Sequence, residues 1–410
     1  MRLIMIDVVI IAPFIILPYE SGNCRFIYLS KLLSEKYDNV NVELISSDFN
    51  HPTKSHRSQK SYTISDNFKI TLLEEIGYKK NISIKRFYSH YKFSKKLRMY
   101  LNHRVQPNVI YCAIPSLRAG YEASQYVKNR GIPFLIDIQD LWPEAFEMIF
   151  DVPILKNILF YSFKKQADYI YESADEIIAV SDTYAKRAMS VNQKCNEYHR
   201  VYLGSDLMTF DTVDPVEKKD DIISIVYIGT LGSSYDLITC LNALHLLNLE
   251  GIKNINFIIM GCGPLENKFK SVAQKLNINS IFTGKLKYES MIGILKSCDI
   301  ALNPLKKGAA QSIINKVCDY AMAGLPVINS LECIEYQELL KKYNAGINVE
   351  CENVESMYQA LKIMINDVHL RKSMGVNSRK MGIELFNRAT TYKILINLIK
   401  ERGCNNVNEK

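Results

Sequence analysis

DIALNPLKKGAAQSIINKVCDYAMAGLPVINS, residues Asp299–Ser330, reads as a buried strand (Ile300-Ala301-Leu302), a Lys/Gly loop, a helix opened by Ser312 and a second strand entered through Gly324-Leu325-Pro326. That order places a polar loop and a helix N-terminus at the carboxyl end of a strand, where open α/β sheets hold ligands. From Ile313 the residues Ile313, Ile314, Val317, Cys318, Ala321 and Met322 form an apolar stripe, while Lys316 and Asp319, three apart, fall on the other face. The spacing predicts that Gln311, Ser312, Lys316 and Asp319 converge near one helix end. An ordinary surface helix with a serine cap and a local Lys/Asp pair would give the same pattern, and spacing alone does not separate the two.

Outward from this segment, strand and helix signals alternate along nearly the whole chain, which predicts parallel sheets with helices on both faces. The first half gives strands near Leu3–Ala12, Val42–Ser46, Asn108–Cys112, Phe134–Ile138 and Glu176–Val180, with helices near Asn23–Glu35, Leu117–Asn129, Ile154–Ser173 and Thr183–Met189. The pattern breaks around Tyr202–Asp206, and the charged, proline-containing stretch Asp211–Asp221 is the linker candidate. A second series follows: strand Ile223–Ile228, helix Leu237–Leu249, strand Asn256–Met260, helix Leu265–Leu276, strand Ile281–Thr283, helix Glu289–Ser297, and then the segment quoted above. The tail from Val354 to Lys400 is helical by pattern.

At 410 residues the chain exceeds what one core generally supports, and 48% hydrophobic with 23% charged residues is an ordinary globular composition. The apolar start is interrupted by Asp7 and followed by Pro13 and Pro18, which fits a first strand better than a signal peptide. A cytoplasmic protein is expected, peripheral on the inner face of the membrane. Ten cysteines are scattered with no CxxC pair and no Cys/His cluster, so no metal site is expected.

The net charge of +8 is uneven. From Ile76 to Tyr121 there is no Asp or Glu, yet Lys79, Lys80, Lys85, Arg86, Lys92, Lys95, Lys96, Arg98, Arg104 and Arg118 fall inside, interleaved with Tyr78, Phe87, Tyr88, Tyr91, Phe93 and Tyr100. Residues 76–104 suit an anionic membrane surface or a lipid diphosphate. Nucleic acid is disfavoured because no recognised module frames the segment.

Two glycine turns follow strands in the second half: Gly229-Thr230-Leu231-Gly232 and Gly261-Cys262-Gly263. Glycines there permit tight turns and close approach of phosphate oxygens to backbone N–H groups. Neither carries a GxGxxG fingerprint or a P-loop, which disfavours simple NAD or ATP chemistry. In the first half, Asp137-Ile138-Gln139-Asp140-Leu141-Trp142-Pro143-Glu144 puts carboxylates and the single tryptophan at a strand end. A carboxylate there could accept a proton or hold a sugar hydroxyl, although Asp, Pro and Glu in that order also signal a helix start. Gly22 and Asn23 close a loop from the first strand into the first helix.

Taken in order, these segments resemble the GT-B glycosyltransferases, specifically family 4 and its O-antigen and capsule type. The matching pieces are Glu20–Asn23, DIQDLWPEAF (137–146), ADEIIAVSDTY (174–184), YIGTLGSSYDL (227–237), IIMGCGP (258–264), FTGKLKYESM (282–291), CDIALNPL (298–305), NKVCDYAMAGLPVI (315–328) and MGVNSRK (374–380). The LWPE segment is most similar to the N-acetylfucosamine transferase branch. The resemblance implies an α/β GT-B fold of two Rossmann-like domains facing across a cleft. Residues 1–204 would bind the acceptor, residues 205–384 the nucleotide-sugar donor, and a helix at about 385–402 would pack back on the first domain.

The resemblance further implies retaining transfer of a sugar, without metal or other cofactor, from a UDP-type donor to an undecaprenyl-diphosphate-linked saccharide. Two glutamates of the family, spaced E-x7-E, align with Gln311 and Asp319. Gln311 would then contact the donor sugar, Asp319 the ribose, and Ser312 the diphosphate, beside Gly229, Thr230, Gly232, Gly261 and Gly263. The basic pair usual after the first glycine turn is absent, so diphosphate charge falls to the helix N-terminus after Gly232 and to Lys316 or Lys285. The family's first-domain histidine has no counterpart in the sequence reading. Gly22, Asn23, Asp140 and Trp142 are left for the acceptor, with Asp140, Lys316 and Gln311 as the catalytic candidates. A UDP-sugar 2-epimerase of the same fold and an inactive accessory subunit are the alternatives.

Overall fold

The computed structural model describes residues 5–20, 22–81, 83–144, 153–218, 221–309 and 312–408. The chain forms two compact units, Met1–Val201 together with Tyr392–Lys410, and Tyr202–Thr391.

The first unit is built on an eight-stranded sheet in the order His199–Arg200, Glu176–Ala179, Phe134–Ile138, Val109–Ile114, Ile6–Ile11, Val40–Ser47, Phe68–Leu73, Ser61–Ser65. All pairings are parallel except the last. Its central strands are nearly uninterrupted runs of Val, Ile, Leu, Tyr and Phe because helices cover both faces. The hairpin Ser61–Leu73 lies between the second and third strands of the sequence reading, which named no element there. Its second strand does alternate buried Phe68, Ile70 and Leu72 with exposed or half-buried Lys69, Thr71 and Leu73. The basic segment then folds into a 20-residue helix, Ile84–His103, capped by Ser83. The final helix, Lys393–Asn408, adds Leu395, Ile396 and Ile399 to the same core as Ile6 and Val8.

One buried ionic network ties this unit together. The Arg25 Nε–H donates to Asp137 Oδ2 at 2.7 Å, and its NH1 donates to the Val201 carbonyl and the Tyr392 hydroxyl, each at 3.1 Å. Tyr111 donates to the same Asp137 oxygen at 2.7 Å. Both places where the chain leaves or re-enters the unit, Val201 and Tyr392, are thus held by one guanidinium.

The second unit is a six-stranded parallel sheet in the order Ser280–Gly284, Ile255–Met260, Ile223–Ile228, Ile300–Asn303, Val327–Asn329, Gly346–Asn348. Strand order reverses between Ile223–Ile228 and Ile300–Asn303, and such a switch point is where parallel sheets open a crevice for a ligand. The linker expected at Asp211–Asp221 instead lies along this unit. Lys218 forms an ion pair with Asp299, and the Val216 N–H donates to the Gly293 carbonyl.

Candidate functional site

At the switch point the two strands pair only at Ile225/Ile300 and Val226/Ala301 and then part. Tyr320, from the following helix Asn315–Met322, bridges the gap by accepting from the Ile228 N–H (2.9 Å) and donating to the Leu302 carbonyl (3.1 Å). That helix begins three residues later than Ser312. Its N-cap position is Ile314, and no side chain caps it. Ser312 was expected to open the helix; it lies instead in the preceding loop, buried, with its hydroxyl unpaired among the described residues. Gln311 lies outside the described residues.

The glycine turns pack on each other. The Gly229 N–H donates to the Met260 carbonyl, the Leu231 N–H to Cys262, the Leu265 N–H back to Leu231, and the Gly261 N–H to Gly284, all at 2.9–3.0 Å. A Cβ on Gly261, whose φ is +140°, would sit 1.9 Å from the Gly229 carbonyl oxygen, and one on Gly263 2.4 Å from that of Leu231. Backbone nesting therefore requires these two glycines, whatever binds beside them. Gly232 has no such constraint, and Thr230 is exposed. The helix after Gly232, Leu237–Leu249, is already capped by the buried carboxylate of Asp236, which accepts from the Thr239 N–H. A diphosphate at that helix end would face this carboxylate; the other place named for its charge is the one around Lys316.

Lys316 occupies that place. It is 93% buried, and its ammonium has no hydrogen-bond partner among the described residues. Nζ lies 3.8 Å from the centre of the Tyr235 ring and 4.3 Å from that of Tyr227, and a Cβ on Gly229 would be 3.1 Å from it. Burial pushes its pKa well below that of a free lysine. Two aromatic faces offset part of the desolvation, but a buried ammonium without an acceptor remains costly. Asn303 Oδ1, at the end of the adjoining strand, is likewise buried and unpaired. Lys316 Nζ, Ser312 Oγ and Asn303 Oδ1 thus leave three unmet polar atoms on one strand–loop–helix segment, beside an uncapped helix N-terminus. Lys285 is exposed and follows the edge strand Ser280–Gly284.

Lys316 and Asp319 do not converge. The helix is buried from Lys316 to Met322, and its polar residues turn to different neighbours. The Asp319 carboxylate accepts from the Ser205 hydroxyl (2.6 Å) and the Tyr288 hydroxyl (2.7 Å), and burial raises its pKa to about 6. Ser205 in turn pairs through its backbone with Phe386 and Arg388. Asp319 thereby joins the helix to both segments that lead out of the unit.

In the first unit, Asp140 accepts from the Trp142 indole N–H (3.0 Å), and burial raises its pKa. Glu144 is spent in an ion pair with Arg187 at 2.6 Å. Gly22, at φ +152°, and Asn23 precede the first helix, and a Cβ on Gly22 would strike Ile16. Around Trp142 the structure gathers two histidines the sequence reading missed, together with Arg86 and Tyr78 of the basic segment. His90 stacks on its ring (centroids 6.1 Å apart, 15° between planes), and the Arg86 guanidinium lies over it at 4.6 Å. Tyr78 sits 5.8 Å from His90, with its hydroxyl 2.5 Å from His51 Nδ1. Phe14 contacts both histidines at 5.4 Å. Two histidines therefore stand where no histidine was expected. No spacing could reveal them, since they lie 39 positions apart on different elements. Among the described residues no group of three or more His, Cys, Asp or Glu is placed to hold a metal ion, and no helix is long and apolar enough to cross a membrane.

Residues 210–381 match the family Glycosyl transferases group 1. The match lies within the second unit. The chain is 25% identical over 242 residues to an uncharacterized glycosyltransferase of Methanocaldococcus jannaschii, covering 57% of this chain and 60% of that one. It is 23% identical over 248 residues, 59% and 64% of the two chains, to the GalNAc-alpha-(1->4)-GalNAc-alpha-(1->3)-diNAcBac-PP-undecaprenol alpha-1,4-N-acetyl-D-galactosaminyltransferase of Campylobacter jejuni. The matches thus span less than two thirds of the length of these relatives. Solved structures match nearly end to end. Sucrose-phosphate synthase from Thermosynechococcus elongatus aligns with a TM-score of 0.74 at 15% identity, covering 97% and 98% of the two chains. HepE from Anabaena, in complex with UDP, aligns with a TM-score of 0.66 at 11% identity, covering 97% and 100%. With two parallel-sheet units matched over the whole length, the fold is GT-B.

Proposed function

We propose that this chain is a glycosyltransferase that binds a nucleotide-sugar donor at the switch point of the second unit and transfers the sugar to a lipid-linked saccharide. The observation that carries the reading is Lys316, a buried ammonium without an acceptor, beside Ser312, the Gly229 turn and an uncapped helix N-terminus. A nucleoside diphosphate leaving group supplies the oxygens these groups lack. As the bond from the sugar C1 to the β-phosphate oxygen breaks, negative charge grows on the diphosphate, and a preorganised cation and helix end stabilise it more in the transition state than in the ground state. The acceptor hydroxyl forms the new bond to C1 and gives up its proton, for which Asp140 is the assigned carboxylate on the acceptor side. Gln311 is assigned to the donor sugar, and no metal ion is invoked. Asp319 is assigned to holding the helix, because its Oδ1 accepts from both Ser205 and Tyr288.

UDP as the nucleotide is supported by its presence in the matched Anabaena structure. A diphosphate-undecaprenol acceptor is supported by the name of the Campylobacter relative. Family 4 membership, the N-acetylfucosamine-type branch, retention and a role in O-antigen or capsule synthesis complete the proposal. The helix Ile84–His103 would rest on the inner membrane surface through exposed Ile84, Lys85, Tyr88, Tyr91, Lys92 and Met99, an apolar and basic mixture suited to anionic lipid.

UDP titration followed by transfer assays tests the reading. Wild type should bind UDP saturably and Lys316→Met at least about 10-fold more weakly, the loss expected for a charge-assisted contact. Labelled UDP-sugars with undecaprenyl-diphosphate-linked saccharides should yield a lipid product one sugar heavier. Equal UDP binding by the variant would overturn the donor site, and turnover of free UDP-sugar without a lipid product would favour the epimerase.

A further inference from the structure

The group around Trp142 holds a cation that nothing in the proposed reaction yet uses. Arg86 is 91% buried, and its Nε–H has no partner. NH1 donates to the Asn81 carbonyl at 2.8 Å, and Tyr78 is its other polar neighbour. Among the described residues no carboxylate lies within ion-pair distance of it. Glu75 and Asp140 act on it only from further away, and burial raises the pKa of both. Burial likewise lowers the Arg86 pKa. Arg25, in the same unit, shows the usual arrangement for a buried guanidinium, a direct carboxylate contact.

The neighbours of Arg86 add positive charge or capacity for it. Lys54 Nζ lies 4.7 Å over the Tyr78 ring and 3.3 Å from His51 Nδ1. Burial, together with these cations, holds His51 neutral with a pKa of about 4 and His90 at about 3. His90 Nε2 has no hydrogen bond, with Glu75 at 4.0 Å. The floor is aromatic: Trp142, Tyr78 and Phe14. An under-paired buried guanidinium, a lysine and two neutral imidazoles against aromatic rings are the chemistry that suits an oxyanion borne on a ring-shaped molecule.

We infer that Arg86, Lys54, His51 and His90 form an oxyanion subsite beside the Trp142 platform, which holds a phosphate or carboxylate group carried by the saccharide acceptor. Its attribution to the acceptor rests on the proposed function. Binding of the anion does not, so a failed transfer assay leaves the following test intact.

Trp142 is the single tryptophan of the chain and lies within the subsite, so its emission reports occupancy directly. The full chain is titrated with glucose 1-phosphate, methyl glucuronide and neutral methyl glucoside. At least one charged sugar should change the emission saturably, and whichever acts separates phosphate from carboxylate. Methyl glucoside should bind at least about 10-fold more weakly. Arg86→Gln should abolish the response, Lys54→Met should weaken it several-fold, and Lys316→Met should leave it unchanged. Lys54 is half-buried at the margin, so its variant keeps the test valid if Arg86→Gln does not fold. No saturable response to either anion, equal binding of the neutral sugar, a response untouched by both first-unit variants, or its loss in Lys316→Met would each overturn the inference.

Discussion

Arg25 and Lys316 are both buried cations, one in each unit, and they have opposite surroundings. Arg25 reaches a carboxylate, a carbonyl and a hydroxyl, and its partners come from positions 112 to 367 residues away. Among the described residues Lys316 reaches two aromatic faces and no acceptor. A charge satisfied by its own chain holds the fold, whereas one left unsatisfied costs the empty protein stability and, on the proposed function, is met by the donor. The two cations therefore predict opposite responses to the same kind of substitution.

The largest effect is expected from Arg25→Met. It leaves Asp137 buried without its ion-pair partner and should destabilise the first unit by about 3–5 kcal/mol, read from chemical denaturation. If the loss were below about 1 kcal/mol, the network would be incidental. Lys316→Met should go the other way. Removing an unpaired buried charge should leave stability unchanged or raise it by about 1 kcal/mol or more, even as UDP affinity falls. A variant as unstable as Arg25→Met would mean that Lys316 serves the fold.

Asp319 extends the contrast to pH. Its folded carboxyl has a pKa of about 6 against 3.8 in the unfolded chain, so the folded state holds the proton more tightly. Its contribution is fully present below the unfolded value and is lost as pH rises through about 4 to 6, on the order of 3 kcal/mol. Asp319→Asn, which can still accept from Ser205 and Tyr288, should flatten that slope in denaturation series run across this window. An unchanged slope would show that the carboxyl titrates normally. Tyr235→Leu should give the smallest change. Loss of the ring 3.8 Å from the ammonium should cost about 1 kcal/mol in wild type and close to nothing in the Lys316→Met background, a coupling that a double-mutant cycle measures.

The alternation of strands and helices was legible because it depends on local apolar runs and on glycines at strand ends. Ile223–Ile228 and Gly229 stand in the structure where the pattern put them. The hairpin Ser61–Leu73 escaped because a charged neighbourhood masked a short alternation. The position of Lys316 within the helix was legible, but its burial was not, since a lysine ordinarily extends to water and only Tyr227, Tyr235 and the Gly229 turn together enclose this one. Ser312 misled for a related reason. Serine before an apolar run suggests a cap, yet the residue at the N-cap position is Ile314, whose φ and ψ are −92° and 160°. Arg86 and His90 share one helix, but His51, Tyr78 and Trp142 come from other parts of the chain, and only tertiary packing brings the group together.

The path of the chain sets an order of assembly. Residues 202–391 complete the second unit, whereas the first cannot close its core until Tyr392, Leu395, Ile396 and Ile399 have been synthesised. On a ribosome the part of the sequence made first is therefore finished last. Until the final helix arrives, the strand Ile6–Ile11 lacks its cover and Arg25 lacks its Tyr392 partner, which makes the nascent first unit the stage most in need of a chaperone.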